Sequence, residues 1–349
     1  MKNKDLMNEP PLKISILFPS HDREDVIRAN LKSIKNLENI KEIETIIIDN
    51  NSQDSTKEII KSFIRNNKDI KIKLVEKDEN LGFSVSINLA AKLAKGEYIF
   101  VTNDDVEFPS NFFEILLNLY NNLKKDKEII ITPAVVFTGG YINYFGGKVH
   151  FLGFSYTPDM YQLIPKEHMT FKTLKIAGCS VFMKRQTFLE LKGFDPFFFM
   201  YHEDTDFSLN AIRNGIFIYT TNETILHHQK LHMLLTEFTY YYIERNRYIC
   251  VYKHIENFKK LIPYLMITEV MLFFQALLEG YLKLRFKVYK FLIHNRKQIK
   301  YLKRKNDNNK MLKLKKQHLD RNLDSIVLGR MLNNVKILRF FLKIFNLIL

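Results

Sequence analysis

Cysteine is nearly missing. Only Cys179 and Cys250 occur in 349 residues, each inside an apolar stretch. No disulfide framework is implied, and a reducing compartment fits. The amino-terminal run MKNKDLMNEPPLK holds no apolar core of signal-peptide type, so no signal peptide is expected and the chain is placed in the cytoplasm or on the cytosolic face of the membrane. No G-x-x-x-x-G-K-[ST] loop and no G-x-G-x-x-G follows the first strand, which removes the P-loop and dinucleotide fingerprints. Phosphates would have to be held by a metal and by basic side chains. Internal repeats and low-complexity linkers are also missing. A clean membrane-spanning run is not expected either: Leu261 to Leu282 is very apolar but is broken by Pro263, Glu269, Gln275 and Glu279.

What is present is a sizeable core and a lopsided charge. Hydrophobic residues make up 46% of the chain, enough to bury a core. The net charge of +15 is concentrated beyond Tyr281, where 19 Lys and Arg face three Asp and no Glu. The preceding 280 residues carry 34 bases and 35 acids. A nearly neutral body with a strongly basic tail points to a polyanionic partner, nucleic acid or an anionic membrane surface; a solvated helical face is the structural alternative.

Strands and helices alternate from residue 12 onward. Ile14 to Phe18 reads as a buried strand, and Ile27, Leu31 and Ile34 fall on one helix face. Thr45 to Ile48 is a second strand. Ser55-Thr56-Lys57-Glu58 fits a capping box opening a helix. Ile70 to Val75, a helix from Phe83 to Lys95 and a strand from Tyr98 to Val101 follow. This rhythm predicts an α/β fold with a mostly parallel sheet and helices on both faces, in which ligands gather at the carboxyl ends of the strands. Short strands are also expected at Ile216 to Tyr219 and Thr224 to Leu226, and glycines at 139, 140, 146, 147 and 153 suggest a mobile segment. Beyond Tyr240 the pattern is helical.

The four strand ends are unusually polar: Pro19-Ser20-His21-Asp22-Arg23, Asp49-Asn50-Asn51-Ser52, Asn80-Leu81-Gly82 and Asn103-Asp104-Asp105. Any one of these is ordinary turn chemistry; four in register place carboxylates and amides in one crevice. Adjacent Asp104 and Asp105 repel unless a cation lies between them, and hard oxygen ligands suit Mg²⁺ or Mn²⁺. A solvated pair or a helix cap is the alternative. A second acidic cluster, Glu203-Asp204-Thr205-Asp206, follows an aromatic run from Phe194 to Tyr201. Such surroundings desolvate a carboxylate as a general base requires, but acids also cap helix starts. His227 and His228 follow the last strand, as metal ligands or as structural histidines.

Taken in order, these blocks resemble the family 2 inverting glycosyltransferases of GT-A fold, and within them the rhamnosyltransferase-like branch. The resemblance runs from about Lys13 to about Tyr252. It implies a GT-A-type, Rossmann-like catalytic domain over 12–235, after a loose leader at 1–11 and before a helical, basic C-terminal region at 236–349. It further implies that Pro19, His21, Asp49, Asn51, Asn80, Gly82, Asn103 and Asp104 hold the nucleotide-sugar. Asp104, Asp105 and His227 would hold Mn²⁺ or Mg²⁺. Asp204 would be the general base, with Gly178, Glu203 and Asp206 on the acceptor side. Family members usually carry an aromatic residue and an Asn where this chain has His21 and Asp22. The implied reaction moves a sugar from a UDP- or dTDP-sugar to a hydroxyl of a glycan or lipid-linked acceptor.

The tail adds a location. From Val335 to Leu349, Lys336, Arg339, Lys343 and Asn346 form one narrow polar stripe among Ile, Leu and Phe, the form of an interfacial amphipathic helix. This region is expected on an anionic membrane surface; packing on the protein core or in a dimer is the alternative. A nucleic-acid-binding protein with a degenerate catalytic domain and a sugar nucleotidyltransferase are the competing readings. The tail lacks a nucleic-acid-binding motif, and the chain lacks the nucleotidyltransferase's glycine-rich phosphate loop.

Overall fold

Side chains that alternate between two buried faces build the first half of the molecule. Strands β1 (Ile14–Ser20), β2 (Ile43–Asp49), β3 (Lys71–Glu76) and β4 (Tyr98–Thr102) lie parallel in the order β3-β2-β1-β4. Ile16, Phe18, Ile47 and Phe100 enter one core with helices α1 (Ile27–Lys35) and α2 (Thr56–Asn66). Their neighbours Leu17, Ile46, Ile48, Ile99 and Val101 enter the core on the other face with α3 (Gly82–Leu93). Period-two alternation in which both sets are apolar is what a doubly covered sheet requires. The structure, a computed structural model, describes residues 11–229, 236–255 and 258–307.

The second half turns the sheet mixed. After β5 (Val106–Glu107) and α4 (Phe112–Leu123), strand β6 (Ile129–Phe137) carries the short β7 (Ile142–Tyr144) on its edge. A two-stranded ribbon, β8 (Lys148–Val149) with β9 (Ser155–Tyr156), stands apart. Then come β10 (Thr170–Thr173), β11 (Ser180–Lys184), α5 (Arg185–Glu190), α6 (Glu203–Arg213) and β12 (Phe217–His228). Strand β11 inserts antiparallel between β4 and β6, and β12 returns parallel to β6. The mostly parallel arrangement therefore describes β1–β4, and the order β10-β12-β6-β11 completes a mixed sheet.

Three local expectations differ. The two strands foreseen at 216–219 and 224–226 are one strand, β12, whose register shifts between Thr221 and Ile225. Ser55 makes no side-chain cap; Asp54 instead accepts from the Thr56 N–H at 3.0 Å, satisfying a different orphan donor of the first turn. The glycine-rich 139–153 segment is packed: Phe151, Leu152 and Phe154 share a core with Ile249, Val251 and Leu272. Gly153 is obligatory there, since its φ is +87° and a Cβ would lie 2.4 Å from Val251.

That core belongs to four C-terminal helices, α7 (Glu237–His254), α8 (Ile262–Leu278), α9 (Leu282–His294) and α10 (Arg296–Asp307). They are tied together by buried charge. Glu244 of α7 accepts from Arg247 at 2.9 Å and from Arg285 of α9 at 2.7 Å. Burial alone would raise the Glu244 pKa, but the two guanidinium groups outweigh it and bring it down to about 2. The stretch Phe258–Leu278, with mean hydropathy 1.8, is long and apolar enough to cross a membrane despite its interruptions. One face of it is packed on the protein: Met271 and Leu272 lie in the C-terminal core. The amphipathic helix expected at 335–349 lies outside the described residues.

Candidate active site

Four strand ends meet at one edge of the sheet. β1 ends in Ser20, which donates to Asp104 Oδ2 at 2.7 Å across from the end of β4. β2 ends in Asp49, fully buried; its Oδ2 accepts the Ser52 N–H at 3.2 Å, and its Oδ1 has no hydrogen-bond partner among the described residues. A buried carboxylate oxygen without a donor costs free energy unless a ligand supplies one. Asn51 takes the left-handed conformation (φ 63°) that turns the chain over the crevice. Pro19 is half-buried at the rim. His21 is exposed beside Asp22, with its Nε2 3.7 Å from the Asp22 carboxylate. Asn103 accepts from the Asn30 amide through its carbonyl at 3.4 Å.

Asp104 and Asp105 are both buried, and a guanidinium and an imidazole face them. Arg23 places Nε 3.5 Å from Asp104 and its terminal nitrogen 3.8 Å from Asp105. His228 Nε2 lies 3.5 Å from Asp105 Oδ1. His227 does not join them: neighbours on a strand point to opposite faces, and in β12 it is His227 that faces solvent. Two buried carboxylates with an imidazole make a donor set that Mn²⁺ accepts and Mg²⁺ tolerates less well. Arg23, Ser20 and His228 carry the electrostatics of the site, although spacing alone selects none of them. The signal for Arg23 was its place in the loop immediately after β1.

The second acidic cluster approaches from across the crevice. Asp204 Oδ1 accepts from the Thr205 N–H at 2.6 Å, while Oδ2 pairs with Lys175 at 3.2 Å. Glu203 is buried, and its Oε2 has no hydrogen-bond partner among the described residues. Burial and then the adjacent Asp204 charge raise the Glu203 pKa well above the carboxylate range. Gly178 sits against both: a Cβ there would stand 3.5 Å from Glu203 Oε1 and 3.6 Å from Asp204 Cβ. The next carbonyl, of Cys179, accepts from Thr102 at the end of β4 at 3.0 Å. Tyr201 spans the gap. Burial raises its pKa first, and the charges of Glu203, Arg23 and Asp105 all act on it. Both acidic groups therefore border one crevice floored by Gly178 and Cys179.

The description of glycosyl transferase family 2 matches residues 15–188, the stretch that builds β1 through α5. The chain belongs to glycosyltransferase family 2. It is similar to the O-antigen biosynthesis protein RfbC of Myxococcus xanthus, 23% identical over 228 residues, 62% of this chain and 17% of the relative. It is also similar to the GalNAc(5)-diNAcBac-PP-undecaprenol beta-1,3-glucosyltransferase of Campylobacter jejuni, 28% identical over 109 residues, 31% of this chain and 35% of the relative. The chain thus spans well under half the length of either. The solved structure of GalNAc-T7 with UDP, GalNAc and Mn²⁺ shares its fold, with a TM-score of 0.58 and 18% identity over 72% of this chain and 50% of that one. The fold of this glycosyltransferase is GT-A.

In this family 2 enzyme the turn before Glu203 is strained and is held from α7. Phe199, Tyr201 and His202 all have φ near +63°. Non-glycine residues adopt such values only where their surroundings impose them. The Asn246 amide donates to the carbonyls of Phe198, Met200 and Tyr201 at 2.9, 2.9 and 2.6 Å, and Arg245 donates to Phe198 at 2.7 Å. On the other side, the Phe199 carbonyl accepts from the Phe83 N–H at 2.9 Å at the start of α3. Gly82 allows that approach, since a Cβ there would meet the Phe199 ring at 2.5 Å. Asn80 caps the same turn, accepting from the Gly82 N–H at 2.9 Å. Gly82 thus joins the loop expected to hold the donor to the Glu203 turn.

Asp206 also stands elsewhere than expected. It is buried away from the acceptor side, with Oδ1 2.7 Å from His254 and Oδ2 2.8 Å from Lys253, which also reaches Asp195 at 2.7 Å. Two residues after Asp204 on α6, Asp206 is turned about 200° around the helix, toward α7 and away from the Asp204 carboxylate. With Cys250 the ligand atoms of Asp206 and His254 cluster within 4.8 Å, but the Lys253 ammonium already occupies the carboxylate, so this is an ionic lock and not a cation site. The expected division at 235/236 is crossed by all of these bonds.

Proposed function

We propose that this glycosyltransferase moves a sugar from a UDP- or dTDP-sugar to a hydroxyl of a glycan or lipid-linked acceptor, with Mn²⁺ or Mg²⁺ and with inversion at the anomeric carbon. The observation that carries the reading is the shared crevice: Asp49, Asp104 and Asp105 on one side of Gly178-Cys179, and Asp204 on the other. Asp49 offers a buried, undonated oxygen to a base or ribose N–H or O–H. Asp104 and Asp105, with His228, would hold the ion, which when bound neutralises the departing nucleoside diphosphate. Asp204, anchored through Oδ1 by the Thr205 N–H and paired through Oδ2 with Lys175, would take the acceptor proton. A single displacement with a base on the face opposite the leaving group inverts the centre, and no covalent intermediate is needed.

The choice of a lipid-linked glycan rests on the Campylobacter relative, whose name specifies an undecaprenol-linked glycan. On that reading the enzyme works at the cytosolic face of a membrane, in cell-envelope polysaccharide synthesis. The test is release of nucleoside diphosphate from a panel of UDP- and dTDP-sugars with Mn²⁺ or Mg²⁺, with polyprenol-linked acceptors. Asp204→Asn should lower turnover by about 10²–10⁴ and leave donor binding in place. Release of pyrophosphate instead would identify a nucleotidyltransferase, and full turnover by Asp204→Asn would remove Asp204 as base.

A further inference from the structure

Helix α8 has two unlike faces. Met266, Ile267, Val270, Phe274, Leu277 and Leu278 are 46 to 65% exposed. At about 100° per residue they fall within an arc of roughly 120°. Thr268, Met271, Leu272, Gln275 and Ala276, on the opposite side, are buried against the protein. The polar residues of the helix thus point inward and the outward face is wholly apolar, the reverse of a solvated surface helix. The patch continues onto α9, where Phe286 is 55% exposed and its ring stands 6.3 Å from that of Phe273. A contiguous apolar surface of this kind marks a contact with something else.

Its rim identifies what. Lys259 and Lys260 precede α8, Lys283 and Lys290 lie on α9, and Arg296, Lys297 and Lys300 on α10, all exposed. Across α9 and α10 the sole acid is Asp307. A second copy of the chain packed here about a two-fold axis would bring the same basic rims together. The chain's own residues 308–349 carry nine Lys and Arg against two Asp, and add positive charge to a positive rim. An anionic bilayer satisfies both features at once: acyl chains take the apolar stripe and phosphate headgroups take the rim.

We propose that the outward face of α8, with Phe286 of α9, is a membrane-docking surface lying in the plane of an anionic lipid headgroup layer. The helix does not cross the bilayer, because Thr268, Met271, Leu272, Gln275 and Ala276 are buried against the protein on the side away from the patch. The inference is independent of the transfer reaction, since docking is read without any substrate.

The test is cosedimentation of the full chain with phosphatidylglycerol–phosphatidylcholine vesicles and with phosphatidylcholine vesicles. Wild type should bind the anionic vesicles, less tightly as salt is raised. The pair Val270→Glu and Phe274→Glu changes exposed positions only, so its circular dichroism and thermal melt should match wild type while vesicle binding falls at least tenfold. Lys283→Gln, Lys290→Gln and Lys297→Gln together should weaken binding to anionic vesicles several-fold and abolish the preference over neutral ones. Wild-type binding by the Val270/Phe274 variant would overturn the proposal and locate the affinity in residues 308–349. A wild type that ignores vesicles overturns it too, and would assign the face to self-association if the protein is a dimer that the variant dissociates.

Discussion

Arg23 occupies part of the space where a divalent ion would act, and this has a measurable sign. Its guanidinium lies 3.5 Å from Asp104 and 3.8 Å from Asp105. At an effective dielectric of about 20, a unit pair at that distance is worth roughly 4.7 kcal/mol. Arg23 is 32% exposed, however, and solvent screens most of this. A residual of about 1.5 kcal/mol corresponds to about tenfold in an equilibrium constant. Replacing Arg23 by Gln removes a cation that competes for the same carboxylates, so Mn²⁺ should bind about tenfold more tightly in the absence of nucleotide. Titration of the free protein with Mn²⁺, followed by the electron paramagnetic resonance signal of the unbound ion, reads this directly. Asp105→Asn should move affinity the other way. Unchanged or weaker Mn²⁺ binding by Arg23→Gln would refute the competition, and with it the placing of the ion between Asp104 and Asp105.

Two further outcomes follow from buried carboxylates. Asp206→Asn should destabilise the protein by about 3 kcal/mol in urea denaturation, because it leaves the buried Lys253 and His254 short of a partner. Burial alone would raise the Asp206 pKa, but Lys253 and His254 outweigh it and hold it at about 2, so its contribution is present above 3.8 and is lost as pH falls from there toward 2. An unchanged stability with a raised acceptor KM would return Asp206 to the acceptor side. Glu203 has the opposite sign: its folded pKa is raised, so the folded state keeps a proton that the unfolded chain gives up, and stability falls as pH climbs past 4.5. Glu203→Gln should flatten the stability difference between about pH 5 and about pH 8; a variant that retains the full slope would show that the proton resides on another group.

The strands were legible because both faces of β1, β2 and β4 are apolar, and continuous runs such as Ile46-Ile47-Ile48 leave little choice. The crevice was legible for the same reason: if the strands are parallel, their carboxyl ends coincide. What escaped was direction. Periodicity cannot tell which of His227 and His228 faces inward until β12 is known to run unbroken from Phe217. Asp206 was placed with Glu203 and Asp204 because they adjoin in sequence, whereas a helix turns each successive residue by about 100°. Lys175 and Asn246 act through groups 29 and 42 residues from Asp204, and no local pattern marks a partner at that separation.

Asn246 directs its amide to three carbonyls of a turn whose acid it does not touch. The segment matched by the family ends at residue 188, so both Asn246 and the turn it holds lie beyond that segment. The same helix, α7, also holds α9 through Glu244 and Arg285, and Arg285 in turn bonds Glu269 of α8. The Asp204 turn and the C-terminal helices are thus mechanically joined: exchanging those helices would disturb the turn along with the surface they present.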